Sequence, residues 1–275
     1  MRRATRYVWR MAVSKDLTDD LRLAHLMADD ADSLSMNRFK AQDLRSSSKP
    51  DNTPVTEADT AVEQSIRRTL ARTRPRDAVH GEEFSDTGES SRRWIIDPID
   101  GTKNYLRGVP VWATLIALEV DGQIAASVVS APALNRRWWA TTGGGAYTGR
   151  SILSATEMRV SRVEQLADAS LSYSDIAEWV ETGRGQGFID LMRSSWRTRA
   201  YGDFWSYMLV AEGSVDVACE PDLALYDMAA LDVIVREAGG RFSNLDGVDG
   251  VSGPGALATN GLLHAAVMEH LRLPG

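Results

Sequence analysis

The sequence predicts a mixed α/β (α+β) fold built as two unlike halves. Three observations predict it. Strand-like runs follow one another from Trp112 to Ala140 with only turn signals between them, strands alternate with helical segments after residue 150, and a glycine-rich stretch from Thr141 to Gly149 separates the two patterns. The boundary is expected just beyond that stretch. It divides the chain into a basic tail at 1–15, a meander-sheet half at 16–150 and an α/β half at 151–275. With 275 residues and 43% apolar side chains, the chain is long enough to bury a real core.

Taken in order, Leu17, Leu21, Ala24, Ala28 and Ala31 recur at helical spacing and predict a long amphipathic helix from Asp16 to Phe39. The polar run Ser46 to Pro54 reads as loop. A second helix starts at Thr56, with Val62, Ile66 and Leu70 in phase. Trp94-Ile95-Ile96 is a short apolar strand running into Asp97. Strands follow at Trp112 to Val120, Ile124 to Ser130 and Arg137 to Ala140, with turns at Asp121-Gly122 and Ala131-Pro132. In the second half, strands are expected at Ser170 to Tyr173, Arg197 to Gly202, Val215 to Cys219 and Leu257 to Thr259. Helices are expected at Phe188 to Trp196, Asp203 to Glu212 and Asp227 to Ala238, stopped by Gly239-Gly240, and finally across Leu263, Val267 and Leu271.

Composition excludes several classes. A formal net charge of −7 argues against nucleic acid or an anionic membrane as partner, because both are bound by clustered Lys and Arg. Acidic substrates also look disfavoured, unless a cation stands between protein and substrate. Cys219 is the single cysteine, so no disulfide can form within the chain, and a reducing, cytoplasmic setting is expected. No apolar run approaches the ~20 residues of a membrane helix. The N-terminal segment carries four arginines within its first ten residues but no signal-peptide core.

The densest chemistry lies in Asp97-Pro98-Ile99-Asp100-Gly101-Thr102. Two carboxylates and the Ile99 carbonyl can aim at one point, as a hard cation requires. Gly101 and Thr102 offer amides and a hydroxyl for a phosphate. Asp-Gly between apolar runs is also an ordinary hairpin turn. Gly81-Glu82-Glu83 adds two carboxylates or is a solvated acidic loop. Thr56 and Asp59 have capping-box spacing, Asp227 opens a helix as an N-cap would, and Glu220 before Pro221 could sit on a surface turn. Phosphate-loop, dinucleotide and Gly-x-Ser-x-Gly patterns are missing, His25, His80, His264 and His270 lack zinc-ligand spacing, and Cys219 lies in an apolar strand. Metal-bound water is the nucleophile left standing.

These residues resemble the inositol monophosphatase-like superfamily of magnesium-dependent sugar and polyol phosphatases. The resemblance rests on Gly81-Glu82-Glu83, on Trp94 through Tyr105, and on Tyr226-Asp227-Met228-Ala229. It extends to Thr53 through Asp59, Gly143 to Tyr147, Glu237 to Gly240 and Ala258 to Asn260, nearly all of the chain after the tail. Tyr226 stands where the family usually has Trp, which implies altered packing with Asp227 kept as ligand. Within the superfamily the chain is most similar to the actinobacterial-type histidinol-phosphatases, through Lys49 to Thr56, Lys103 to Ala113, Val129 to Trp139 and Arg199 to Phe204.

The resemblance implies a layered αβαβα sandwich, commonly a homodimer. It implies two or three Mg²⁺ ions on Glu82, Asp97, the Ile99 carbonyl, Asp100 and Asp227, with Asp97 bridging, and water orientation by Asp59, Glu82 and Thr102. Gly101 and Thr102 would hold phosphate, and Glu220, Asp203 and Arg199 would meet the alcohol portion of the substrate, a small-molecule phosphate monoester. Inhibition by Li⁺ follows from the same likeness. L-histidinol phosphate is the expected substrate. Inositol monophosphate or another sugar phosphate is the rival, and a non-catalytic phosphate-ester-binding regulator on the same fold is the reading from another class.

Overall fold

A computed structural model of the protein describes residues 15–50 and 53–273. The basic tail expected at 1–15 lies outside these residues except for Lys15, which opens α1 (Lys15–Arg38). Two short strands, β1 (Ser46–Ser48) and β2 (Pro54–Thr56), pair antiparallel where only a loop was expected. Helix α2 (Glu57–Thr73) follows at once. It is capped by Thr56, whose side chain accepts from Ala58 and Asp59 while Asp59 accepts from the Thr56 amide.

Among the described residues the large sheet has seven strands: β3 (Ala78–Gly81), β4 (Arg92–Asp100), β5 (Ala113–Val120), β6 (Gln123–Ala131), β7 (Arg136–Thr141), β8 (Gly145–Thr148) and β9 (Thr156–Glu157), in that spatial order. Only β3 and β4 run parallel; every later neighbour is antiparallel, the predicted meander. Asp121 and Gly122 both take positive φ between β5 and β6, which is what a type I′ hairpin demands. The central strands β5 and β6 are buried along most of their length because helices cover both faces of the sheet.

The second sheet has five strands among the described residues, ordered β11 (Arg197–Arg199), β10 (Ser170–Ser172), β12 (Val217–Glu220), β14 (Ala256–Thr259) and β13 (Arg241–Ser243). Strand–helix alternation holds for its parallel part, β10 with β11 and β12, which are linked through α4 (Ile176–Glu181), α5 (Gly185–Ser194) and α6 (Asp203–Ala211). β14 instead pairs antiparallel with β12 and β13, so the sheet is mixed.

The layers stack as αβαβα. α1 and α2 cover one face of the large sheet, where Ala24, Ala28 and Ala31 let α1 approach closely. α6 and α7 (Leu225–Glu237) fill the space between the sheets, and α7 is buried nearly all round because it has a sheet on either side. α4, α5 and α8 (His264–Leu271) cover the far face of the small sheet. β9 carries the large sheet past residue 150, and the central core draws side chains from both halves, so the division at 150/151 does not separate two cores. The Glu237 carboxylate accepts from the Gly143 and Gly145 amides at 2.8 and 2.9 Å, tying the end of α7 to the glycine-rich loop. Among the described residues no helix is long and apolar enough to cross a membrane.

Candidate metal centre and substrate cleft

Strand alternation assigns the faces of β4. Trp94 and Ile96 pack toward α1 and α2, while Ile95 joins the core between the sheets and Asp97 follows it in phase. In a regular strand Asp100, three residues on, would point the other way. The register shows why it does not: Asp97 sits opposite Leu115 and Asp100 opposite Ala113, so β4 spends one residue more than its partner. This is a β-bulge, and the extra residue restores Asp100 to the face of Asp97. Pro98 suits the bulge because it has no N–H to leave unpaired, and Thr114 Oγ1 donates to its carbonyl at 2.8 Å.

Asp227 reaches the same point from the first turn of α7. It is the third helical residue rather than the N-cap, and its carboxylate accepts from the Ala224 amide at 2.8 Å. One carboxylate oxygen from each of Asp97, Asp100 and Asp227 lies within 4.8 Å of the others. Burial raises all three carboxyl groups above the ordinary aspartate range, Asp227 to about 7, and neighbouring acids add to the rise in each. Asp97 Oδ1 is buried and has no hydrogen-bond partner among the described residues, whereas Asp100 Oδ2 accepts from the Phe204 amide at the start of α6, at 2.8 Å. Clustered carboxylates with a buried orphan oxygen fit hard divalent cations, which take oxygen ligands and relieve the mutual repulsion.

Glu82 follows β3, its amide donating to the Ile96 carbonyl at 3.2 Å, and its carboxyl stands beside Asp97. It lies outside the tight triad. Lys49 Nζ holds it at 2.6 Å and reaches Glu83 at 2.8 Å, so Gly81-Glu82-Glu83 is not a solvated loop. Burial pushes the Glu83 carboxyl up to about 7 despite that lysine. A Cβ at Gly81 would fall 2.1 Å from the Glu63 carboxylate and would push it away from the Glu83 amide, from which it accepts.

Gly101 adopts φ 84° and turns β4 into α3 (Thr102–Arg107), a strand-to-helix turn and not a hairpin. A Cβ at Gly101 would lie 2.9 Å from the Val111 carbonyl. Thr102 Oγ1 lies 2.9 Å from the Ile99 carbonyl and 3.2 Å from Asp59 Oδ1. Asp59 therefore belongs both to the cap of α2 and to the site, and burial raises its pKa, with Thr56 opposing the rise by hydrogen bonding. Ile99 packs with Ala58, Tyr105 and Trp112, which fixes its carbonyl.

Beyond these groups opens a cleft of about 450 Å³. It is lined by Glu82, Asp100, Gly101, Thr102 and Asp227, by Ser174, Asp175, Glu178, Asp203, Glu220 and Asp222, by Lys103 and Asn104, and by Tyr201, Tyr207 and Tyr226, so that acids outnumber the one lysine. Glu220 is buried at the end of β12, not on a surface turn, because alternation sends Val217 and Cys219 to the outer core and Ala218 and Glu220 inward. Burial and then Asp203 drive its pKa well up. Asp203 accepts from Asn104 at 2.7 Å, and burial raises its pKa to about 6. Tyr226 stacks on His80 with ring centroids 6.1 Å apart, leaving Asp227 in place. Arg199 is not brought to the cleft: it is exposed on edge strand β11 and donates to the Thr198 carbonyl. Lys49, Asn104, Tyr207 and the acids of α4 went unnamed as site residues; only the Asp175 N-cap spacing could have signalled α4.

Similarity to known proteins follows the same lines. The sequence profile described as the inositol monophosphatase family matches residues 17–273. A histidinol-phosphatase of Streptomyces coelicolor is 59% identical over 260 residues, covering 93% of this chain and 98% of that one. A histidinol-phosphatase of Mycobacterium tuberculosis is 56% identical over 254 residues, covering 92% and 98%. Among solved structures, the extragenic suppressor protein suhB of Bartonella henselae superposes with a TM-score of 0.84 at 29% identity, covering 92% of this chain and 98% of that one.

Proposed function

Because the chain belongs to the inositol monophosphatase family, we propose that it is a divalent-metal-dependent phosphomonoesterase that hydrolyses L-histidinol phosphate to L-histidinol and phosphate. The observation that carries the chemistry is the convergence of Asp97, Asp100 and Asp227 on one point beside Glu82. These side chains and the Ile99 carbonyl would hold Mg²⁺, two or three ions in all. The bound ions supply positive charge to the phosphate and acidify a water. Identity with the two histidinol-phosphatases supports the substrate, and so does the acid-lined cleft, which suits an alcohol carrying an ammonium group rather than a neutral polyol.

Within this reading the chain's own groups have distinct tasks. Thr102 accepts a hydrogen bond from the attacking water and donates its own proton toward Asp59, which the Thr56 cap holds in place. Glu82 helps to orient the same water. The Gly101 and Thr102 amides face phosphate oxygens at the start of α3. Glu220 and Asp203 receive the cationic alcohol portion. The family habit supports a homodimer, and the lone buried Cys219 accords with the cytoplasm. A substrate panel with Mg²⁺ tests the proposal: L-histidinol phosphate should exceed myo-inositol 1-phosphate in kcat/KM by about a hundredfold or more. The reverse order would replace it with the inositol reading, and metal binding without turnover would leave a regulator.

A further inference from the structure

The cleft wall contains two buried polar atoms with no hydrogen-bond partner among the described residues, the Tyr207 hydroxyl and Glu220 Oε1. Both residues line the cleft, at 1% and 5% exposure. Folded proteins seldom leave such atoms unsatisfied, and these two belong to residues lining one cleft, where a ligand can complete them. α6 packs on β12, so the two side chains enter the cleft from neighbouring elements. Glu220 offers an acceptor. Tyr207 offers a phenolic hydroxyl, which can donate. Asp100 and Asp227 line the same cleft, so Tyr207 shares it with metal ligands as well as with Glu220.

We propose that Tyr207 contacts the substrate and donates its hydroxyl hydrogen to the ester oxygen that joins phosphorus to the alcohol, while Glu220 takes the ammonium group. This rests on the reading that the substrate is the phosphate ester of an amino alcohol. In such an ester a single methylene separates the bridging oxygen from the carbon bearing the amine, so an acceptor and a donor stand side by side and complement the Tyr207–Glu220 pair. In hydrolysis a new P–O bond forms to water while the bridging P–O bond breaks and its electron pair passes to the alcohol oxygen. Water supplies the proton that completes the alcohol. Tyr207 stabilises the charge growing on that oxygen and ends with its own proton.

Tyr207→Phe removes one oxygen and keeps the ring. With Mg²⁺ present, kcat/KM is measured on L-histidinol phosphate and on p-nitrophenyl phosphate, whose leaving oxygen needs little stabilisation and whose leaving group has no amine. The loss on L-histidinol phosphate should exceed the loss on p-nitrophenyl phosphate about tenfold or more, with no fall in Tm, since the hydroxyl has no protein partner to lose. Equal losses, or a lowered Tm with equal losses, overturn the proposal. If Tyr207→Phe does not fold, Tyr207→Met must show the same contrast. Wild-type protein that fails to hydrolyse L-histidinol phosphate sinks the substrate reading and this proposal with it. Active wild type with an equally active Tyr207→Phe sinks the Tyr207 assignment alone.

Discussion

Asp97 and Asp100 lie three residues apart on β4 yet face the same side, because one bulged residue separates their partners Leu115 and Ala113. Nothing else in the strand would bring both carboxylates to Asp227. Asp97→Asn keeps the shape and removes a charge from the triad. Turnover with Mg²⁺ should fall by about 10³-fold or more, and the metal-free protein should melt no lower than wild type. Steady-state kinetics with a thermal melt checks both halves, and near-normal Mg²⁺-dependent phosphate release would refute the assignment.

Thr102 bridges the Ile99 carbonyl and Asp59 without a cap of its own to maintain. Thr102→Val should lower kcat about 10²-fold, while stability changes by only ~1 kcal/mol, the net worth of one hydrogen bond. Asp59→Asn should also weaken the α2 cap, adding a stability loss of about 0.5–2 kcal/mol. Comparing the two melts separates the roles.

Glu220 carries its charge requirement to the substrate side. Glu220→Gln should raise KM for L-histidinol phosphate about tenfold or more above any rise for a neutral phosphate ester, the scale of a hydrogen bond to a charged group. Equal shifts in the two KM values would remove the charge-reading role.

The raised carboxyl pKa values fix a pH signature. Asp227 at about 7 and Asp203 at about 6 bind protons more tightly when folded than unfolded. At these carboxyl groups the folded state holds more protons than the unfolded state between roughly pH 4 and pH 7, so their contribution to stability falls as pH rises through that window, and with the raised Asp97, Asp100, Glu83 and Glu220 it outweighs the opposite trend of the buried His25 and His264. Metal-free protein should show a lower Tm at pH 8 than at pH 5.5. Saturating Mg²⁺ should shrink or reverse the drop, because the cation binds the deprotonated set. Melts with EDTA and with Mg²⁺ at both pH values make the test; a metal-free Tm that rises with pH would contradict it.

The sequence by itself determined whatever depends on neighbours in the chain. The Asp97–Thr102 motif, the Thr56–Asp59 cap and the Asp121-Gly122 hairpin all follow from local dihedral preference, hydrogen-bonding reach and strand or helix period. Short elements such as α3, α4, β3 and β13 escaped, being too brief to show a period. Only the tertiary structure decided the rest. Which way Asp100 points depends on its register against β5. Burial of Glu220, and the presence of Tyr207 and Glu178 in the same cleft, depend on how the small sheet and its helices lie against the large one. Lys49 meets Glu82 across 33 residues, and Asn104 meets Asp203 across 99. Such meetings are set by layer packing, a sum over the whole core that no local stretch of sequence encodes.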